Sequence, residues 1–252
     1  SSKQFKLPLP NLDNSVLSDG RIIPRSLAKT ICLECGLVTR EPRLLPHEIR
    51  QFYDGNYDLG ANAAIGDFAR GLAYSKIVAE LVGHQPINRI LEVGCGAGHT
   101  LVALSAIWRE AFFMGLEAAP QLAGRTLSDS PSIELRQGFI ENMQGVAEGF
   151  DLVFSVNVVE HAADVVNFLF AMAQQLATTG RIVLICPRLD PPNLELLFVD
   201  HIHSFSAAAM ENLATKAGLT LERYLPDGYG LGDFQIFVFC PKSMAASGVL
   251  RL

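Results

Sequence analysis

Nowhere in its 252 residues does the chain hold an uninterrupted apolar run approaching the ~18 residues of a membrane span. A membrane partner is therefore not expected. The opening residues, Ser1-Ser-Lys-Gln-Phe-Lys6, lack the apolar core of a secretory signal. Basic clusters are missing too. Only 18% of the residues are charged and the net charge is −6, whereas gripping nucleic acid takes grouped Lys and Arg against phosphates. No nucleic-acid partner is expected. The cysteines number five, and Cys95, Cys186 and Cys240 fall in strand ends or loops that read as buried. That pattern suits a reducing cytoplasm better than a disulfide scaffold. No internal repeat or low-complexity tract is visible.

What the chain does have is apolar residues, 49% of the total, ample for a core. Residues 1–60 hold five of the thirteen prolines and little amphipathic periodicity. They read as an irregular arm of short strands and turns, with a helical piece near His47–Phe52. From residue 61 to 252 the pattern changes. Apolar positions at Phe68, Leu72, Ile77, Val78 and Leu81 recur at helical spacing, and Pro86 ends that helix. Strands and helices then alternate, as in a parallel sheet covered by helices on both faces. Ligands in such sheets bind at the carboxyl ends of the strands.

One junction stands out. Arg89-Ile-Leu-Glu-Val-Gly-Cys-Gly-Ala-Gly-His99 runs a buried strand into Glu92, Gly94, Cys95, Gly96 and Gly98, with a helix expected from Thr100 to Trp108. Glycines without a Cβ let backbone approach a ligand, and helix N-terminal amides point at it. A dinucleotide fingerprint spaces its glycines G-x-G-x-x-G; here the third comes one residue early, at Gly98, and His99 stands in the expected place. This counts against a nicotinamide dehydrogenase. Acid-x-Gly-x-Gly-x-Gly resembles motif I of the class I S-adenosylmethionine (SAM) methyltransferases.

The order of later motifs carries the same resemblance over roughly residues 50 to 240. Ala111-Phe-Phe-Met-Gly-Leu-Glu117 ends a second strand in an acid about 20 residues past the glycines, as a ribose-reading carboxylate requires; Ala118 follows it. A third strand, Ile133 to Gln137, leads to Gly138-Phe-Ile-Glu141, where the family places adenine contacts, here Phe139 and Ile140. Many relatives carry Asp at Phe139, so ring contact and backbone amides would hold the adenine instead. The strand Phe150 to Ser155 runs into Val156-Asn-Val-Val-Glu-His161, close to the family's strand-four signature. The fifth strand is Gly180 to Pro187. A helix from Ser206 to Ala217 and strands near Thr220–Tyr224 and Gln235–Cys240 follow. The resemblance implies an α/β, Rossmann-like fold with a seven-stranded, mostly parallel sheet. It also implies SAM as cofactor, S-adenosylhomocysteine as product, and cofactor contacts at Tyr57, Glu92, Gly94, Cys95, Gly96, Gly98, Glu117, Ala118, Phe139, Ile140 and Asn157.

Methyl transfer asks the protein to align donor and acceptor and to take a proton from the acceptor. His161 after the fourth strand is a candidate base, or a structural contact at the junction. Asp200-His201-x-His203 is the second candidate; two histidines at i and i+2 share one side of an extended segment. The alternative is that Asp200 and His201 bond backbone and cap the following helix. Asn157-x-x-Glu160-His161 also resembles a carboxylate-x-x-Glu-His metal cluster of quinone-pathway O-methyltransferases, but Asn157 replaces a charged ligand, and no metal is expected there.

The arm carries Cys32-Leu-Glu-Cys-Gly-Leu-Val38, half of a zinc ribbon that needs four ligands. No Cys or His precedes it in the sequence, and His47 alone cannot complete the set. A turn with two small thiols is favoured over bound zinc. The segment, with Phe52-Tyr53 and Tyr57 after it, resembles the one preceding the methyltransferase domain in bacterial enzymes acting on sugars and natural products. The function expected is methylation of a small-molecule hydroxyl, in a sugar or natural-product intermediate. C-methylation of a sugar nucleotide, or SAM binding without catalysis as a partner subunit, are the alternatives.

Overall fold

Apolar residues that alternate between two helix layers organise the fold. The computed structural model describes residues 4–7, 13–18, 20–42, 47–48, 65–83, 85–119, 133–146 and 148–243. The first strands are β1 (Gln4–Lys6), β2 (Ser15–Val16), β3 (Ile22–Ile23), β4 (Ala28–Cys32) and β5 (Val38–Glu41). Helix α1 (Ile65–Val82) leads to β6 (Arg89–Val93), α2 (His99–Ser105), β7 (Phe112–Glu117), β8 (Ile133–Gln137) and β9 (Phe150–Val156). Then come α3 (Val165–Gln174), β10 (Leu176–Pro187), β11 (His203–Ser204), α4 (Ala207–Lys216), β12 (Leu219–Leu225) and β13 (Phe234–Pro241).

The main sheet has seven strands in the order β12-β13-β10-β9-β6-β7-β8. Strands β8, β7, β6, β9 and β10 pair in parallel, and β13 runs antiparallel between β10 and β12. Side chains change face at every residue of a strand. On β10, Ile182, Leu184 and Cys186 join a core with Phe168, Leu169 and Met172 of α3 and Met210 of α4. Val183 and Ile185 between them join the other, with Ile77, Val78 and Leu81 of α1 and Leu101 and Leu104 of α2. With both faces covered, the central strands must be apolar throughout, as doubly wound sheets require.

Most expected elements appear within a residue or two of their expected bounds. Helix α2 is shorter than the expected Thr100–Trp108 span, and turns occupy residues 106–110. Strand β10 starts four residues before Gly180, with a shift of its register against β9 between Leu176 and Arg181. Of the arm, the described residues form short strands, and the helical piece expected near His47–Phe52 lies largely outside them. β1, β4 and β5 form a sheet completed by β11, which arrives from between β10 and α4.

Candidate active site

At the carboxyl end of β6 the chain turns through Gly94, whose φ is 74°, a conformation open to glycine. A Cβ there would stand 2.2 Å from Val158 Cγ2, so the loop fits against the segment after β9 only with glycine. Over Gly96, φ 51°, the opposite holds: nothing among the described residues lies within 4 Å of where a Cβ would stand. This open side faces a cleft of about 430 Å³. The ends of β6, β7, β8 and β9 contribute Gly94, Gly96, Glu117, Ala118, Phe139, Ile140 and Asn157 to its wall, and His161 closes the far side.

Glu117 is fixed from two directions. Its Oε2 accepts the Gly96 N–H at 2.9 Å and its Oε1 accepts the Ala119 N–H at 2.9 Å. Each carboxylate oxygen retains a second lone pair for a ligand hydroxyl. Glu92 lies behind the loop, 3% exposed, and its Oε2 has no hydrogen-bond partner among the described residues. Burial pushes its carboxyl well above the usual range, partly offset by the Thr100 hydroxyl and reinforced by the charge of Glu117. Asn157 follows β9 at φ 55°, a left-handed conformation that asparagine tolerates better than most residues, and its N–H donates to the Ile185 carbonyl at 2.9 Å.

Other residues expected at the cofactor lie elsewhere. Cys95 is buried beneath the loop, its Sγ against Gly115, and burial pushes its thiol up. Gly98 begins α2 at φ 79° and is outside the cleft wall. Tyr57, like Tyr53, lies outside the described residues. Sequence reasoning passed over Asn142, Asp164, Asn167 and Phe168, which also line the cleft. Asp164 and Asn167 carry a readable signal as the N-cap of α3, where the Asp164 side chain accepts the Asn167 N–H; nothing in that pattern says that the helix end borders a cleft.

On the acceptor side the candidates separate. His161 Nδ1 lies 2.9 Å from the carbonyl oxygen of Asp200. A carbonyl only accepts, so Nδ1 carries the proton and Nε2 keeps its lone pair. Burial, and then the neighbouring His201, lower the His161 pKa to about 4, against a weaker pull upward from Asp200, so the ring is neutral at pH 7. The Asp200 carboxylate is 3.9 Å from the same Nδ1 and takes the Ser18 N–H (2.9 Å) and hydroxyl. Burial works against its charge, yet His161, His201 and the two Ser18 bonds more than offset that and hold it below the usual carboxylate range.

His201 stands edge-on to His161 with ring centres 4.9 Å apart, and its Nδ1 is 3.6 Å from Glu195 Oε1. Like His201, His203 is not among the residues of the cleft wall. It pairs with Thr39 in β11, its Nδ1 3.5 Å from the Thr39 hydroxyl. The two histidines do not share one site because β11 turns His203 into the arm sheet. Asp200 likewise acts on His161 from behind rather than from the cleft wall.

Glu160, His161 and His201 bring one ligand atom each within 4.8 Å of one another. Asn157 contributes no charge to them, His161 Nδ1 is already bonded, and no metal role is assigned to the group. Glu160 is 1% exposed, with neither oxygen hydrogen-bonded among the described residues, and burial raises its carboxyl to about 7 against the pull of His201. In the arm, Cys32 and Cys35 are free thiols, and the turn between them closes by a bond from the Gly36 N–H to the Cys32 carbonyl (2.8 Å).

Residues 67–224 match the family described as Methyltransferase domain. The chain belongs to this family, which is a class of SAM-dependent enzymes. Among curated proteins it resembles the ubiquinone biosynthesis O-methyltransferase of Azorhizobium caulinodans, 30% identical over 100 residues, covering 38% of this chain and 39% of that one. The Rhizobium johnstonii protein of the same name is 28% identical over 144 residues, 56% of this chain and 50% of that one. The chain thus spans two fifths to half the length of these relatives. The fold is similar to that of mitomycin 7-O-methyltransferase, with a TM-score of 0.60 and 21% identity over 77% of this chain and 60% of that one. It is also similar to a Haloferax volcanii protein solved with a methyltransferase activator, with a TM-score of 0.59 and 15% identity, covering 73% and 97%. A neocarzinostatin O-methyltransferase solved with SAM and a naphthoic acid gives a TM-score of 0.55 at 16% identity, over 73% of this chain and 58% of that one.

Proposed function

We propose that this chain transfers a methyl group from SAM to a hydroxyl of a small molecule, such as a sugar or a natural-product intermediate. The observation that carries this reading is His161: a neutral imidazole whose Nδ1–H is tied to the Asp200 carbonyl and whose Nε2 keeps its lone pair, at the wall of the same cleft that Gly94 and Gly96 line. The relatives named for O-methylation in ubiquinone biosynthesis and of mitomycin support oxygen as the methylated atom. Residues 1–60 are read as a separate arm and 61–252 as the methyltransferase domain.

Two observations fit SAM to the cleft: the open space over Gly96, and the Glu117 carboxylate in the wall, held by two backbone N–H groups with lone pairs left for ligand hydroxyls. Gly94, Gly96, Glu117, Ala118, Phe139, Ile140 and Asn157 would hold it. When bound, it supplies a methyl group activated by a positively charged sulfur, which leaves as a neutral thioether. His161 Nε2 takes the proton of the acceptor hydroxyl as the oxygen gains its new carbon bond. The resulting imidazolium is stabilised by the Asp200 carboxylate 3.9 Å from Nδ1 and by the carbonyl already bonded there. A base placed this way contributes on the order of 10²–10⁴ in rate.

The test is methyl transfer from isotopically labelled SAM into separated pools of a cell extract, by this protein and by His161→Ala. Label in the small-molecule or saccharide pool, lost about 100-fold or more in the variant with SAM affinity unchanged, is the expected result. Label in RNA or protein would overturn the substrate class. Wild-type turnover by His161→Ala would remove the base assignment. SAM binding with no labelled product would favour a non-catalytic partner subunit.

A further inference from the structure

The segment from Asn193 to Ser206 is bonded to the arm on one side and to the main domain, at His161 and Gln235, on the other. The Val199 N–H donates to the Val16 carbonyl (2.9 Å) and the Arg40 N–H to the Ile202 carbonyl (2.8 Å), while β11 pairs with β5. Two side-chain routes run inward from these contacts. Ser18 gives both its N–H and its hydroxyl to the Asp200 carboxylate, and the Asp200 carbonyl holds His161 Nδ1. Lys29, fully buried, places Nζ 3.5 Å from the Glu195 carbonyl and 3.4 Å from the Ser204 hydroxyl, and Glu195 faces His201, which packs against His161.

A buried lysine is costly unless opposite charge compensates it. Here burial lowers the Lys29 pKa, and Glu195 and Asp200 pull it back up. The same charge helps to keep Glu195 ionised. Such an arrangement is a poor choice for stability alone, since an apolar side chain would fill the space without that cost. The Lys29 charge does bear on two acids, Glu195 and Asp200, each of which faces an imidazole.

We propose that Ser18 and Lys29 are positioning residues for His161. Ser18 acts through Asp200, Lys29 acts through Glu195 and His201, and the arm is thereby a working part of the acceptor side. This rests on the reading of His161 as the base. Ser18 has a specific task. It holds the Asp200 carboxylate 3.9 Å from His161 Nδ1, so the ring bonds the neutral carbonyl instead. Ser18→Ala keeps the backbone N–H on that carboxylate but removes the hydroxyl donor to its second oxygen, and His161 Nδ1–H is the nearest replacement. The charged and titratable groups around His161 are Asp200, His201 and Glu195, with Glu160 beside it in sequence.

The experiment follows the imidazole nitrogens by NMR in protein with ¹⁵N-labelled histidine, alongside kcat and KM against pH. It compares the full chain with Ser18→Ala, Ser18→Thr, Lys29→Met/Glu195→Gln and His161→Gln. Ser18 is exposed, so Ser18→Ala is expected to fold; the double variant removes both buried charges together. In Ser18→Ala the His161 titration and the acid limb of kcat should move up by about one pH unit or more, as an opposite charge brought closer dictates. Ser18→Thr should restore both. In the double variant kcat should fall about tenfold with KM for SAM unchanged, and the tautomer populations of His201 should shift. Folded Ser18→Ala and double variants with wild-type titrations, tautomers and kcat would overturn the proposal. If His161→Gln keeps full turnover, the base reading itself fails, while the NMR comparison still reports whether Ser18 and Lys29 orient the ring.

Discussion

Glu160 and His161 are neighbours in sequence, and burial moves their titrations toward and past each other: the acid rises to about 7 and the imidazole falls to about 4. Their effects on stability therefore oppose. Between the ordinary carboxylate range and pH 7 the unfolded chain releases the Glu160 proton while the folded one keeps it, so this group costs more stability as pH rises. For His161 the unfolded chain takes up a proton as pH falls below about 6.5, and stability is lost toward pH 4. Glu160→Gln removes only the first effect. Relative to the parent, that variant should gain on the order of 2–3 kcal/mol between pH 4.5 and 7.5, read by urea unfolding. A constant difference over that range would show that Glu160 is ionised in the folded protein. Individual residues were legible to different depths. Glu117 and the glycines followed from spacing, because a fixed ligand geometry fixes the distance between them. Lys29 and Glu195 were not, since a lone charge in an irregular segment reads as solvent-facing until its neighbours in space are known.

At the scale of elements, the strands of the main sheet were readable because a doubly covered strand is apolar throughout and bounded by turns. β11 was not. Two residues of extended chain carry no period, and their pairing with β5 is set by the arm, more than 160 positions away. That pairing explains why His201 and His203 part company despite their i, i+2 spacing. Helix α4 begins immediately after this crossing, and Ser206 serves both sides: its hydroxyl oxygen accepts the Ala209 N–H (3.2 Å), and its hydroxyl reaches the Cys35 carbonyl (3.3 Å). Ser206→Ala should destabilise the protein by about 1 kcal/mol through the lost cap. It should also speed exchange of the backbone amides at Cys32 and Gly36, which a cap serving α4 alone would leave unchanged. Hydrogen exchange separates the two.

For the whole molecule, the two cores are separated by one sheet, and Phe154, fully buried on β9, sits near the middle of it against α1 and α2. Phe154→Ala should cost about 3–5 kcal/mol. It should lower the urea midpoint with an unchanged slope, in one transition that fluorescence and circular dichroism report together. Separate transitions would show that the two layers unfold independently. The architecture was legible at this scale because the alternation of strands and helices admits few solutions once handedness is fixed.

The arm sheet has one further consequence, in the order of synthesis. Lys29 and Arg40 are made about 160 residues before Glu195, Asp200 and Ser204, the residues that bury and neutralise Lys29. For most of translation the arm has no fourth strand to pair with and two cations to keep hydrated. It can close only after nearly the whole methyltransferase domain has been made. The arm sheet is thus made well before the strand that completes it, and a nascent chain stalled before residue 195 would hold Lys29 without the groups that neutralise it.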